Sequence, residues 1–280
     1  MRKVQRNPVV SKKHLFRMQY RQVTGMTDPL TAAQLYQLGR NYYLIRNYSQ
    51  AADYLTEAVI KGSSGAARLL MDMGKLLYSR GGGGDYALAE RCFQPLADRG
   101  SGESCLYLGR MCAQGLGRKK DIRAAFDYFD EAYQLGSGEG AFEAGRLILP
   151  DAWVYEEARQ AAIGWFKAAA DDGIVRANTE IGLLLCDNIP EHNAEALTWF
   201  VKGIHGGDTD AMVYASDLYL GGMGVPKNEK IALNLLVQAA RGGNKKANTI
   251  LGDMYASGDY VEKNKNRAIE YYKRAKDCDR

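Results

Sequence analysis

Few side chains of this 280-residue sequence combine a type and a spacing that suit catalysis. Histidine, which serves as a metal ligand and as a general base, occurs only at His14, His192 and His205. Thirteen residues separate the last two, and no metal-ligand motif surrounds them. No nucleophile elbow or triad signature is present either. We therefore predict no catalytic residue, no metal site and no cofactor, and hence a chain that is not an enzyme.

A run of four glycines, Gly81–Gly84, raises the question of a phosphate-binding loop. Such a loop needs a Gly-Lys-Ser/Thr sequence after its glycines, because the lysine contacts the phosphates and the hydroxyl contacts Mg²⁺. That sequence does not follow here. The run is therefore predicted to be a flexible turn between two helices.

Five cysteines cannot all form disulfides within one chain: Cys92, Cys105, Cys112, Cys186 and Cys278. None belongs to a Cys-x-x-Cys motif, so neither a zinc site nor a thioredoxin-type motif is indicated. Most lie among apolar residues at helical spacing, where a thiol packs as a small hydrophobe. This pattern favours a reducing compartment, and we predict a cytoplasmic protein.

Positive charge is concentrated at the N-terminus. Seven bases and no acid precede Asp28, whereas the remaining chain has 30 bases and 33 acids. Residues 1–27 are therefore predicted to be a separate basic tail or a short capping segment. A solvated tail, a contact with phosphates or an anionic membrane, and a mitochondrial presequence remain open. The net charge of +4 does not indicate a nucleic-acid partner, and no apolar run approaches the ~20 residues of a transmembrane segment.

The rest of the chain repeats itself every 34–37 residues. A series of small residues is Gly39, Gly74, Gly109, Gly145, Gly182, Ser216 and Gly252. A series of alanines is Ala51, Ala89, Ala125, Ala162, Ala196, Ala232 and Ala268. Four positions after these alanines stand the large residues Leu55, Phe93, Phe129, Phe166, Phe200, Leu236 and Tyr272. The spacings keep these residues on helix faces, so they predict pairs of helices in which a small residue allows close approach.

Polar residues and glycines are expected to mark the ends of the second helices. Asn47, Asp85, Asp121, Asn228 and Asn264 lie four residues before the alanines and are predicted N-caps. In repeat five we expect Asn193 or Glu191 to cap the helix, and repeat four should start irregularly near residues 150–155. Six glycines are predicted to supply the left-handed residue that ends a second helix: Gly62, Gly100, Gly136, Gly173, Gly207 and Gly243.

The repeated unit resembles known families. Gly39-x2-Tyr42-x8-Ala51-x3-Leu55-x2-Ala58 matches the spacing of the tetratricopeptide repeat. The loops Gly115–Asp121 and Gly222–Asn228, and the Ala-Ala-x-x-Gly ending at Ala239–Gly243, resemble those of Sel-one-like repeats. The resemblance implies an all-α, right-handed α/α superhelix over residues 28–280. The predicted repeats lie near residues 31–62, 63–100, 101–136, 137–173, 174–207, 208–243 and 244–280.

The resemblance also implies a binding surface. In tetratricopeptide-like repeats the residue after the small first-helix residue points into the concave groove. Here this position holds Arg40, Lys75, Arg110 and Arg146, followed by Leu183, Asp217 and Asp253. Aromatic residues on the same helices, which could add apolar contact, are Tyr36, Tyr43, Tyr78 and Phe142. We predict that they bind an acidic segment or chain terminus of a protein or peptide partner. The alternative is that the bases pair with neighbours such as Glu103 and Glu139.

Three functions are compatible with these features. The leading interpretation is a bacterial scaffold or adaptor, the usual role of Sel-one-like proteins. The second is an immunity protein that neutralises a secreted toxin. The third is a cell-wall or β-lactam hydrolase, but the relatives of that kind carry a cysteine pair bridging each repeat. Cys105 and Cys112 are seven residues apart in one helix, roughly 10.5 Å along its axis, which is too far for a disulfide.

Overall fold

The computed structural model describes residues 29–187 and 189–278, and the basic segment predicted over residues 1–27 lies outside them. The described residues form fourteen α-helices and no β-strand. The chain divides into two compact units, Met1–Leu96 and Ala97–Arg280. In sequence order the helices make seven pairs, and this confirms the predicted all-α class.

The helices are 11 to 17 residues long, and none in the described ranges is both long and apolar enough to cross a membrane. In the first unit they are α1 (Ala32–Leu44), α2 (Tyr48–Ile60), α3 (Ser64–Arg80) and α4 (Gly83–Ala97), the last of which ends at the unit boundary. In the second unit they are α5 (Gly102–Gln114), α6 (Ile122–Gln134), α7 (Gly138–Ala152), α8 (Glu156–Asp171), α9 (Val175–Leu185), α10 (Pro190–His205), α11 (Thr209–Gly221), α12 (Glu229–Arg241), α13 (Lys245–Ser257) and α14 (Lys265–Asp277).

A small residue on the first helix of each pair sets how closely the second helix approaches. A Cβ added at Gly109 would lie 2.5 Å from the Phe129 ring, and one added at Gly145 would lie 2.8 Å from the Phe166 ring. Both rings are buried. The same contact occurs between Gly39 and Leu55, Gly74 and Phe93, Gly182 and Phe200, and Gly252 and Tyr272. The predicted pairing of a small with a large residue is therefore confirmed.

Most of the predicted N-caps are confirmed. The side chains of Asn47, Asp121, Asn228 and Asn264 each accept a hydrogen bond from the backbone N–H three residues later. Asp85 is not a cap, because α4 already begins at Gly83; its carboxylate instead pairs with Arg80 Nε at 3.3 Å. The six closing glycines all have positive φ, between 81° and 87°.

Repeat five begins its second helix differently from the prediction. Helix α10 starts at Pro190, and Ile189 occupies the cap position, so neither Asn193 nor Glu191 is the N-cap. Asn193 is buried within α10 instead. Its Oδ1 accepts from the Asp187 backbone N–H at 3.2 Å, and its Nδ2 donates to the Asp187 carbonyl at 2.8 Å. A buried amide thus fixes the preceding loop. In repeat four, α8 starts without a side-chain cap, after an irregular turn at residues 153–155.

The close approach at Gly145 predicts opposite effects for two glycine substitutions in repeat four. Gly145→Ala should destabilise the fold by about 1–3 kcal/mol, because the added methyl meets the fully buried Phe166 ring. Gly164→Ala in α8 should stabilise it by about 0.5–1 kcal/mol, because its Cβ meets no atom within 4 Å and alanine favours a helix. Urea unfolding of both variants measures the difference, and an equal gain from both would contradict the packing described here.

Candidate partner-binding surface

The predicted bases of the first unit lie on α1 and α3. Arg40 is exposed and forms no ion pair within the described ranges, and Lys75 is half-buried on α3. Tyr36 and Tyr43 lie four residues before and three residues after Arg40, so all three share one face of α1. The Tyr36 ring lies beside α3, 3.5 Å from where a Cβ of Gly65 would stand. The first unit therefore presents an exposed guanidinium flanked by two tyrosines.

The tyrosines of this surface are half-buried because they pack on neighbouring rings. Tyr43 lies against Tyr48, with the ring centroids 5.8 Å apart, and Tyr78 meets Tyr86 edge-on at 5.9 Å. Each ring keeps part of its surface exposed. Rings held in this way lose little conformational entropy when a partner covers them.

In the second unit, Glu143 holds both predicted bases. Arg110 on α5 donates from Nε and Nη2 to Glu143 Oε1, at 2.9 and 2.8 Å. Arg146, one turn further along α7, donates from Nη1 to Glu143 Oε2 at 3.3 Å. Only 12% of the Glu143 side-chain surface is exposed, so the two guanidinium groups largely replace water around this carboxylate. The predicted bases are therefore fixed in place across two neighbouring first helices.

A second ion pair extends this cluster and corrects one prediction. Arg176 on α9 donates to Glu139, whose Oε2 is also 3.9 Å from Arg110 Nη2. The Arg176 guanidinium covers the Phe142 ring, with Cζ 4.1 Å from the centroid, and Phe166 packs on the same ring. Phe142 is consequently only 4% exposed. It belongs to the core, and the prediction that it contacts a partner is corrected.

Beyond repeat four the charge at the predicted position changes. Leu183 is half-buried, whereas Asp217 and Asp253 are exposed. Asp253 Oδ1 accepts a hydrogen bond from the Tyr272 hydroxyl at 2.7 Å, and this bond raises the pKa of Tyr272. The later repeats therefore present carboxylates where the earlier ones present bases.

Glu180 lies on α9 in repeat five, between the repeats that present bases and those that present carboxylates. It is half-buried and has no hydrogen-bonded partner within the described ranges. Burial raises the pKa of Glu180, and the charges of Asp208 and Asp210 raise it as well, whereas Arg146 and Arg176 lower it. The ionised carboxylate is therefore less favourable in the fold than in water.

Glu139 was named from the sequence as a possible partner of the bases, and Arg110 does lie 3.9 Å from it. Three other members of this surface were missed, because acids and bases were not compared between neighbouring repeats. Glu143 and Glu180 each lie two residues before the small residue of their repeat, and Arg176 lies six residues before Gly182. Positions six before, two before and one after the small residue share one helix face. Comparing all three positions between neighbouring repeats would have indicated the ion pairs.

The histidine nearest to a catalytic arrangement lies in repeat five. His192 Nδ1 is 2.7 Å from Asp187 Oδ2, and this hydrogen bond raises the pKa of His192 and lowers that of Asp187. The adjacent Cys186 is not activated, because burial raises the pKa of its thiol to about 11. Among the described residues, no cluster of histidine, cysteine and carboxylate side chains could hold a metal ion.

None of the five cysteines forms a disulfide, and all five lie within the described residues. Cys105 and Cys112 are both buried in α5, as their helical spacing predicts. Burial raises the pKa of Cys92 to about 12 and that of Cys105 to about 11. These thiols are therefore protonated at neutral pH and pack as apolar side chains.

Seven helix pairs with charged side chains fixed on their first-helix faces define a helical-repeat protein. A family model described as the Sel1 repeat matches residues 31–63, 68–101, 102–137, 155–174, 209–244 and 245–279. These matches cover more than half of the chain, which therefore belongs to the Sel1 repeat family.

Solved structures show the same fold. A Sel1 repeat protein from Oxalobacter formigenes is 22% identical with a TM-score of 0.64, over 86% of this chain and 96% of that one. The protective antigen c5321 of uropathogenic Escherichia coli, described as an SLR fold, is 21% identical with a TM-score of 0.62, over 94% and 56%. The immunity protein Pa5087 from Pseudomonas aeruginosa is 18% identical with a TM-score of 0.50, over 69% and 75%. The predicted α/α solenoid is thereby confirmed. No curated protein matches the sequence.

The raised pKa of Glu180 predicts a pH-dependent effect of Glu180→Gln. Because the folded state holds the proton more tightly than the unfolded chain, ionisation of Glu180 costs stability as pH rises through its folded pKa. The glutamine variant should therefore be more stable than wild type at neutral pH and lose this gain below 4.5, the ordinary glutamate value. Thermal melts across pH measure the effect, with the exposed Glu262→Gln as a control. A glutamine variant less stable than wild type at neutral pH would contradict it.

Proposed function

We propose that this chain is a non-enzymatic scaffold or adaptor that binds a protein or peptide with an acidic segment on the face of its first helices. Sel1 repeat proteins are generally protein-interaction scaffolds. The observation that carries the proposal is the pair Arg110 and Arg146, which Glu143 holds side by side. A surface whose charged side chains are fixed before binding loses little entropy when a partner docks.

The ion pairs leave donors available for a partner. A guanidinium group has five N–H donors. Glu143 accepts from two nitrogens of Arg110 and from one nitrogen of Arg146. The remaining N–H groups can bind a carboxylate through charge-assisted hydrogen bonds. Arg40 in the first unit has all its donors free of ion pairs within the described ranges. An acidic segment would thus add to the existing network, without having to displace Glu143.

We also propose a bacterial, cytoplasmic setting. Five cysteines that form no disulfide, three of them fully buried, are typical of proteins that fold under reducing conditions. The similar folds come from Oxalobacter, Escherichia and Pseudomonas.

An immunity protein is the second candidate, because the Pseudomonas aeruginosa structure of similar fold is described as one. In that case the acidic partner would be a toxin, and binding would inhibit it. The hydrolase alternative has no specific observation in its favour, since burial raises the pKa of the Cys186 thiol in repeat five to about 11.

The proposal predicts that two bases on the first-helix faces are needed for binding. The double variant Arg110→Gln with Arg146→Gln should weaken affinity for the partner about a hundredfold, since each desolvated charged hydrogen bond contributes about 1.5–3 kcal/mol. Glutamine at position 146 avoids placing a second carboxylate beside Glu143. The partner is first isolated from native cells by affinity purification and identified by mass spectrometry, and its affinity is then measured by calorimetry.

A matched control changes the same charges elsewhere. Arg99→Gln with Arg123→Gln alters an exposed turn residue and an exposed residue on second helix α6. This control should bind as tightly as wild type, with both double variants melting normally. Wild-type affinity in the Arg110 and Arg146 variant would refute the proposed surface. Complete loss of a toxin's enzymatic activity on binding would identify the partner class as that of an immunity protein.

A further inference from the structure

A cleft of about 260 Å³ lies between the second helices of the last two repeats, away from the first-helix face. It is lined from α12 by Val237, Ala240 and Arg241, and from α14 by Arg267, Glu270, Tyr271 and Arg274. Three of the seven lining residues are arginines, and Glu270 is the one carboxylate among them. The lining therefore carries an excess of two positive charges at neutral pH.

Aromatic rings hold two of these arginines in position. Arg267 Nη1 donates to the Tyr255 hydroxyl at 3.0 Å, and its Cζ lies 5.3 Å from the centre of that ring. Tyr255 stacks on Tyr271 with centroids 5.7 Å apart, and Arg274 Cζ lies 5.5 Å from the Tyr271 ring. A neutral hydroxyl orients Arg267 without cancelling its charge. The guanidinium groups are thus ordered before any ligand arrives.

The charges of the cleft are only partly compensated. Arg274 Nη2 lies 2.6 Å from Glu270 Oε1, which makes one ion pair. Arg241, at the end of α12, and Arg267 form no ion pair with any residue in the ranges 29–187 and 189–278. Two guanidinium groups that share one cleft repel each other unless an anion lies between them. Arg241 and Arg267 therefore both have N–H groups that an anion in the cleft could accept hydrogen bonds from.

This concentration of arginine is specific to the last junction. Arg241 lies nine residues after the second-helix alanine of repeat six. Arg267 lies one residue before the second-helix alanine of repeat seven, and Arg274 lies six residues after it. At the five preceding junctions the same positions hold Ile60, Leu88 and Pro95; Asp98, Ala124 and Glu131; Gln134, Ala161 and Ala168; Asp171, Glu195 and Lys202; and His205, Ile231 and Gln238. No other junction has more than one lysine or arginine. The cluster is therefore not a requirement of the repeat.

We propose that this cleft is a binding site for a phosphate monoester group, which we call the arginine cleft after Arg241, Arg267 and Arg274. A phosphate monoester carries about −1.5 to −2 charges at neutral pH and three acceptor oxygens, which match the two excess positive charges and three guanidinium groups. A single carboxylate would leave one charge uncompensated. The group is either free phosphate and small phosphorylated molecules, or a phosphorylated side chain of a protein. The site is separate from the first-helix surface and does not depend on it.

Calorimetric titration of the full chain with inorganic phosphate tests the site, with chloride adjusted to keep the ionic strength constant. Wild type should bind phosphate saturably, and Arg241→Gln with Arg274→Gln should bind at least about tenfold more weakly. The matched control is Lys230→Gln with Lys273→Gln, which removes two exposed charges from the same helices outside the cleft. This control should keep the wild-type affinity, and all variants should melt like wild type.

The outcomes separate the site from general charge effects and identify the source of the phosphate. Absence of saturable binding, or an equal loss in the lysine control, overturns the proposal. A second titration uses a glycine-serine peptide with one phosphoserine, and its unphosphorylated form as the blank. Tighter binding of the phosphopeptide than of inorganic phosphate, abolished in the arginine variant, supports the site with a phosphorylated protein as its ligand. Equal or weaker binding of the phosphopeptide supports the site with a small phosphorylated molecule.

Discussion

The close approach of two helices across a small residue is the interaction on which the rest of this structure depends. At Gly145 the Phe166 ring occupies the space that any side chain would need, and the same contact recurs in six of the seven pairs. In repeat six Ser216 takes the place of glycine, is buried, and satisfies its hydroxyl by donating to the Val213 carbonyl at 2.6 Å. A single pair cannot bury its apolar face alone, so each pair is stabilised by its neighbours.

This constraint uses only the core positions of each helix and leaves the surface positions free. The position after the small residue is basic at Arg110 and Arg146 and acidic at Asp253, although in all three cases the preceding glycine packs against a ring of the second helix. Differences between repeats therefore concern charge much more than shape. Recognition by such a surface depends on which charges are free and which are already paired, as Glu143 shows by binding two arginines at once.

The sequence predicts most of the fold because the pattern of a small first-helix residue and a large second-helix residue occurs seven times. Local signals such as the Asn47 and Asn264 caps are also sufficient by themselves, since a cap acts within three residues. Predictions failed where contacts with other parts of the chain decide between local alternatives. Asparagine is a common N-cap residue, but Asn193 instead forms hydrogen bonds with the Asp187 backbone across a loop. The burial of Phe142 was equally inaccessible, because it requires Arg176 from another repeat to fold over the ring.

The stretches that depart from the family pattern locate the charge network. Residues 138–154 and 175–208 lie outside the Sel1 repeat matches, yet they contain α7 and α9, which supply Glu143 and Arg176. The core contacts of these repeats are retained, since Gly145 still faces Phe166 and Gly182 still faces Phe200. Helices α7 and α9 therefore keep the packing that defines the fold, although the family model does not match them.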